Sequence, residues 1–335
     1  MDKRITSVMA VLLILGTVTL SGCLDSGGDE SDWTSYPYVI PNTDMRFPDE
    51  EGMHHEKDTW ISIGFKLDFP DEDVESMYLI LLYLPNFKDV FISVPDFTAS
   101  ARMYGSQTLP EGKLNMNFEN QYMEDMPMDV LKVREGEAFH YDLISYIELD
   151  GGDIILDVEL ESEKPPATMF DGQVDIGREY YRFHAFTNCT VRGTMEMDGE
   201  VYEVRGQAWL ENLRGWLNEM KWDWFAFWDD QGNEVKIVDL YGSLGGNVRY
   251  AMYVRADGKV VTVDDIVITP TSFKDRFAFS WEITSEEYDI DLNITSIENR
   301  MSYTGFAFGI GHVSGTLMGV EIDDLTYIEL TKKHS

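Results

Sequence analysis

Along most of this chain, hydrophobic and polar positions alternate with a period of two. Trp60–Phe69 (WISIGFKLDF), Ala138–Leu149, Asp153–Glu161, Val201–Leu210 and Lys259–Ile268 either alternate or are rich in β-branched and aromatic residues. Strands that bury one face read this way. Turn signals punctuate the runs: Pro110-Glu-Gly112, Asp150-Gly-Gly152, Asp171-Gly172, Asp198-Gly199, Asp230-Gln-Gly232 and Asp257-Gly258. The spacing predicts about 17 short strands and no long helix, hence an all-β protein built as sandwiches or barrels. An antiparallel barrel of about eight strands encloses room for one small ligand. The chain from Trp33 onward is too long for one ordinary core and suits two such barrels.

An internal echo supports that division. Val191–Glu211 reads VRGTMEMDGEVYEVRGQAWLE, and Val313–Glu329 reads VSGTLMGVEIDDLTYIE. Both carry V-x-G-T, a Gly, a hydrophobic-Glu-hydrophobic triplet, then an aromatic, a branched aliphatic and a Glu. A hairpin at the same place in two related barrels explains the repetition. The expected boundary lies at Gly215–Glu219, giving an N-terminal barrel over 33–216 and a C-terminal barrel over 217–335.

The beginning of the chain reads differently. Lys3 and Arg4 precede an apolar run, Val8–Leu20, too short for a spanning helix, which needs about 20 residues. It reads as the apolar core of a signal peptide, residues 1–22. The run ends in Leu20-Ser21-Gly22-Cys23, which resembles the lipobox of prokaryotic lipoproteins. That resemblance implies cleavage before Cys23, a lipid on its sulfur and an extracytoplasmic protein anchored to the membrane, since two acyl chains anchor stably. Residues 23–32 are small, polar and acidic and read as a flexible tether.

Composition narrows the partners. The net charge of −35 excludes nucleic acid, which needs a basic surface. Cys23 and Cys189 are the two cysteines, so a lipidated Cys23 leaves no intrachain disulfide, and Cys189 reads as a small buried hydrophobe. Asn188-Cys-Thr190 and Asn293-Ile-Thr295 match the glycosylation sequon. Adjacent side chains on a strand face opposite ways, so His54-His55-Glu56 makes no convincing metal site, and no metal or cofactor is expected.

Candidate chemistry gathers around the first copy of the repeat. Trp209, Trp216, Trp222, Trp224 and Trp228 fall in one short stretch, with Glu211, Asn212, Asn218, Glu219 and Asp223 among them. Trp224, Ala226 and Trp228 alternate with Phe225 and Phe227, so one face could line a cavity and the other pack on the neighbouring domain. A carboxyl buried there could donate a proton.

From Tyr180 to Gly232 the chain resembles the hydroxyneurosporene synthase (CrtC)/AttH-like family. The matching positions are Tyr180, Tyr181, Gly193, Thr194, Asp198, Gly199, Val204, Gly206, Ala208, Trp209, Trp222–Phe225, Asp229, Asp230 and Gly232. Tyr327-Ile-Glu329-Leu-Thr331 is similar to the family's closing motif, and Asp58–Gly64 is a weaker echo of an early strand. The resemblance implies two lipocalin-like barrels in tandem. Family members include hydratases, cyclases and isomerases of long apolar substrates, alongside secreted proteins of no known activity. Such chemistry needs a dry pocket, a proton donor and aromatic walls.

The chain departs from the family pattern where acids and bases sit. An Asp-His pair is Glu211-Asn212 here, and an acid-bearing segment before V-S-G-T is Phe306-Ala-Phe308-Gly309. A hydratase loses activity with its acids, whereas a binding pocket for an apolar guest gains from their loss. The sequence therefore predicts a binding protein for a lipid, isoprenoid or polyene. Its expected pocket residues are Trp209, Trp224, Tyr181, Asn212, Trp60, Phe306, Phe308 and Glu329. The alternative is a hydratase, isomerase or cyclase with Glu211 as proton donor. A third reading is a structural module whose barrels are filled by their own side chains.

Overall fold

The structure, a computed structural model, describes residues 32–51, 59–72, 76–84, 87–93, 107–108, 130–134, 137–147, 153–197, 199–216, 220–242, 245–274, 276–301 and 307–331. Residues from Trp33 onward form one unit. Its described elements are all strands, 21 in number, four more than the spacing of turn signals suggests. Several are two- to four-residue pieces such as β1 (Tyr38–Val39), β2 (Arg46–Phe47) and β6 (Gln107–Thr108), too short to show a period.

A first sheet takes β3 (Thr59–Asp68), β4 (Met77–Leu84), β5 (Phe87–Ser93), β6, β7 (Val130–Val133), β8 (His140–Ile147), β9 (Ile154–Ser162), β11 (Glu179–Met197) and β12 (Glu200–Trp216), with β10 (Gln173–Ile176) pairing on β11. The second takes β13 (Lys221–Trp228), β14 (Glu234–Tyr241), β15 (Asn247–Val254), β16 (Val260–Val263), β17 (Val267–Lys274), β18 (Phe277–Ser285), β19 (Ile290–Met301), β20 (Ala307–Leu317) and β21 (Val320–Leu330). Strand order in the first is β6-β5-β4-β3-β12-β11-β9-β8-β7, and in the second β16-β15-β14-β13-β21-β20-β19-β18-β17. Position for position the two orders follow the same chain logic. All pairings are antiparallel, and each sheet curls round its own core as a lipocalin-like barrel.

The echoed sequence occupies matching hairpins, β11–β12 and β20–β21. The second is two residues shorter on each arm, which accounts for the difference in length. The glycine of V-x-G-T does the same work in both. A Cβ on Gly193 would lie 2.2 Å from the Asp157 carbonyl oxygen, and one on Gly315 would lie 2.1 Å from that of Asp291. Only a residue without a side chain lets the neighbouring strand pass that close.

Three cores result. Ile63, Phe65, Leu79, Leu143, Val158 and Val191 fill the first barrel, together with Tyr38, Met45 and Phe47 from the N-terminal segment. Phe225, Phe227, Ile237, Trp281, Leu292 and Ile328 fill the second. A third layer lies between the barrels, on the outer faces of both sheets. It explains why WDWFAFW in β13 and VKIVDL in β14 do not alternate: these strands are buried on both faces. A polar clasp joins the barrels beside this layer. Lys164 Nζ donates to both Glu234 carboxylate oxygens at 2.6 and 2.8 Å and to the carbonyls of Gly232 and Arg255. Thr187 donates to Glu234 at 3.0 Å, and Trp228 Nε1 donates to the Thr187 carbonyl at 2.9 Å.

Cys189 is free and buried in the first core, where burial pushes its thiol far up. Residues 1–31, which hold the signal segment, Cys23 and all of the tether but Asp32, together with His54-His55-Glu56, Asn218, Glu219 and Phe306, lie outside the described residues.

Candidate functional site

Alternation along β13 sends Phe225 and Phe227 into the second barrel and Trp222, Trp224 and Ala226 to the outside. The sequence suggested that one face lines a cavity while the other packs on the neighbouring domain. The structure assigns both tasks to the tryptophan face, and the phenylalanine face is ordinary core. Register carries the same face across β14 to Lys236, Val238 and Leu240, and across β15 to Tyr250 and Met252. Opposite stand Ser62 of β3, Tyr78, Ile80 and Leu82 of β4, Tyr181 and Phe183 of β11, and Trp209 and Glu211 of β12. Each buried aromatic removes roughly 150–250 Å² from water, about 4–6 kcal/mol. A chain of rings ties the barrels together: Trp209 to Trp228 at 6.4 Å, Trp228 to Tyr327 at 5.6 Å and Tyr327 to Tyr78 at 5.8 Å.

A cavity of about 40 Å³ remains in this layer. Leu82, Leu213, Met220, Trp222, Trp224, Val238 and Leu240 give it apolar walls, and Ser62, Tyr181, Glu211, Lys236, Tyr250 and Glu329 give it polar ones. One water needs roughly 10–15 Å³ measured this way, so the space holds about three waters or a group of similar size. It is far smaller than the roughly 300–1,000 Å³ of pockets that enclose whole organic ligands.

Its polar groups form three hydrogen-bonded sets. Trp209 Nε1 donates to Glu211 Oε1 at 2.8 Å, and Lys236 Nζ donates to Glu211 Oε2 at 2.9 Å. Trp209 and Glu211 are two apart on one strand, hence on one face. Lys236 Nζ also stands 4.1 Å from the centre of the Phe183 ring. Burial pulls the Lys236 ammonium below its ordinary value, and the charges of Glu211 and Glu329 oppose that without cancelling it. Trp222 Nε1 donates to Glu329 at 3.2 Å. The hydroxyls of Tyr181 and Tyr250 are joined by a short hydrogen bond, and burial raises both above the ordinary tyrosine value. Trp224 Nε1 and the Tyr327 hydroxyl are buried and have no hydrogen-bond partner among the described residues.

Of the residues singled out from sequence, Tyr181, Glu211, Trp224 and Glu329 line the cavity. Trp209 sits behind Glu211 and orients it, and Phe308 belongs to the same layer away from the cavity walls. Asn212 is not brought to the cavity: as the residue after Glu211 it points to the opposite face, paired in register with His184. Trp60 pairs with Leu213, and its side chain lies outside the described residues. Sequence reasoning missed Lys236, Tyr250, Trp222 as a wall, and Ser62. For Lys236 a signal existed, a lone cation in the apolar run Val235-Lys-Ile-Val238, two residues before a buried Val.

Two curled antiparallel sheets of equivalent strand order, sharing a buried aromatic layer, define a tandem lipocalin-like protein. The family model described as AttH-like matches residues 118–332, and the chain belongs to that family. Among solved structures, the AttH protein of Nitrosomonas europaea superposes with a TM-score of 0.64 at 18% identity, covering 89% of this chain and 99% of that one. Kievitone hydratase from Nectria haematococca gives a TM-score of 0.64 at 13% identity, covering 81% of this chain and 88% of that one. At such identities the likeness is one of fold. No curated protein matches the chain in sequence.

Proposed function

We propose that this chain is a lipid-anchored extracytoplasmic protein whose inter-barrel cavity binds the polar end of an otherwise apolar small molecule, such as a lipid, isoprenoid or polyene, without transforming it. The observation that carries the binding reading is Trp224 Nε1. A donor in an indole 9% exposed, on the cavity wall, has no acceptor among the described residues. An unmade buried hydrogen bond costs roughly 1–3 kcal/mol, which a ligand carbonyl or hydroxyl oxygen would recover. The cavity's size suits the polar head of such a ligand. The anchor rests on Leu20-Ser-Gly-Cys23 alone.

Organic extraction of protein purified from its native membrane, followed by mass spectrometry, tests the reading. A bound apolar molecule is expected, recovered unchanged after incubation and held roughly 5- to 150-fold more weakly by Trp224→Phe. An empty extract, with Trp224→Phe binding every offered lipid as the parent does, would sink it. Cys23→Ser should release the protein from the membrane fraction.

A second reading, hydration, isomerisation or cyclisation of such a molecule, is favoured by one observation. A Glu211–Lys236 ion pair with side chains 4% and 2% exposed is expensive to bury and is more than a greasy pocket needs. The sequence suggested Glu211 as the proton donor of such a reaction; because it accepts hydrogen bonds from Trp209 and Lys236, in this reading it stands instead as the base and Lys236 holds the proton. Product formation from an offered polyene would favour it over simple binding.

A further inference from the structure

The internal repeat shows which buried polar groups the fold itself requires. Glu211 pairs with Ser62, and Glu329 pairs with Trp224, so the two glutamates occupy equivalent places on β12 and β21. By the same correspondence Trp209 matches Tyr327 and Gly64 matches Ala226. The cross-strand partner of Gly64 is Ile80, and that of Ala226 is Lys236. The slot that holds an isoleucine, 2% exposed, in one barrel therefore holds a lysine, 1% exposed, in the other. Packing of this layer is satisfied by an aliphatic side chain there. Burying an ammonium is costly, and only a well-placed partner offsets the loss of water.

Its surroundings suit nucleophilic chemistry. Lys236 lines the cavity, and its Nζ has Glu211 Oε2 at 2.9 Å as hydrogen-bond acceptor and the Phe183 ring on another side. Glu211 is fixed in turn by Trp209 at 2.8 Å, so a proton can pass directly between the two groups. A lysine desolvated in an apolar pocket is the usual form of an amine that attacks carbonyl carbon.

We propose that Lys236 captures the aldehyde or ketone group of the cavity's ligand as a reversible Schiff base, with Glu211 as its proton-transfer partner. The inference rests on the cavity-binding reading above and names the ligand class. The ammonium first gives a proton to Glu211. The neutral amine then attacks the carbonyl carbon; the C–N bond forms as the C=O π bond opens, and the nitrogen, positively charged after attack, gives one of its protons to the oxygen to leave a neutral carbinolamine. Glu211 returns its proton to that hydroxyl, which leaves as water while the nitrogen lone pair forms the iminium. Hydrolysis reverses the sequence, and no oxidant or reductant takes part. Burial, which already draws the ammonium toward neutrality, eases the first step. A cavity of about 40 Å³ admits a carbonyl head of about three heavy atoms.

Acetaldehyde is a probe of that size. The full chain is incubated near neutral pH with acetaldehyde and sodium cyanoborohydride, and ethylated lysines are mapped by peptide mass spectrometry. Reversible binding of acetaldehyde without the hydride donor is followed in parallel by ligand-observed NMR on the parent and Trp224→Phe. Lys236 is expected to be ethylated about tenfold faster than Lys259, whose side chain is 76% exposed. Glu211→Gln should slow Lys236 alone. If acetaldehyde binds reversibly, with binding lost in Trp224→Phe, yet Lys236 is labelled no faster than Lys259, the Schiff base is overturned and the cavity reading stands. If neither binding nor labelling at Lys236 occurs, both fall.

Discussion

Lys236 and Glu211 show how a single buried pair departs from its neighbours. Removing one partner leaves the other charge buried and uncompensated, whereas replacing both by neutral groups of similar size removes the desolvation cost altogether. Lys236→Met is therefore expected to lower unfolding free energy by about 3–5 kcal/mol, and the double variant Glu211→Gln/Lys236→Met to return it to the parent value or above. Urea denaturation of the three proteins checks this. A double variant as weak as the single one would mean that the pair holds the barrels together. Glu211 was legible in the sequence because it sits in a motif with Trp209. Lys236 was not singled out, because the apolar run around it does not say which element covers the second face of β14.

At the scale of elements, the two hairpins carrying V-x-G-T are the visible trace of the duplication, and the glycine of that motif marks a close approach of neighbouring strands in each. Gly315 has φ +129, and a Cβ would lie 2.1 Å from the Asp291 oxygen. Gly315→Ala is expected to cost at least about 1–3 kcal/mol and lower Tm, because a β-carbon there forces β19 and β20 apart. Gly199, in the β11–β12 turn with open space around its Cβ position, serves as the comparison for φ strain alone. Equal losses at the two sites would contradict the close-approach argument. Strand positions were readable from periodicity wherever one face met water, as in β9, whose burial alternates along its length. They were least readable in β13 and β14, where period two disappears because both faces are apolar.

Across the whole molecule, charge and burial oppose each other. Glu51 shows the conflict locally. It accepts hydrogen bonds from Tyr36 of the N-terminal segment and Tyr141 of the first barrel, and its second oxygen is buried without a partner among the described residues. Burial outweighs those bonds and pushes its carboxyl up to about 7, and Glu234 in the inter-barrel clasp is pushed up to about 6. A carboxyl raised on folding contributes stability that is fully present below its unfolded value, near 4.5, and is lost as pH rises through its folded one. For Glu51 that loss reaches about 3 kcal/mol at most between pH 5 and pH 8. Denaturation at those two pH values should show it in the parent and a much smaller loss in Glu51→Gln. Identical pH slopes would refute the assignment. The net charge of −35 adds self-repulsion at neutral pH, so Tm should climb from low to molar salt, and a flat response would mean that the charges are already screened.

By itself, the sequence determined the all-β class, the duplicated hairpin and several of the site's residues. Each of those is written in short-range periods or in a motif and its repeat. Tertiary structure alone decided that described side chains pack inside each barrel and that a cavity lies between the two. Only the docking of two sheets covers a second strand face, and that long-range event is what brings Lys236, Tyr181 and Tyr250 together around Glu211. Asn212, adjacent in sequence to Glu211, is sent the other way by the same strand geometry.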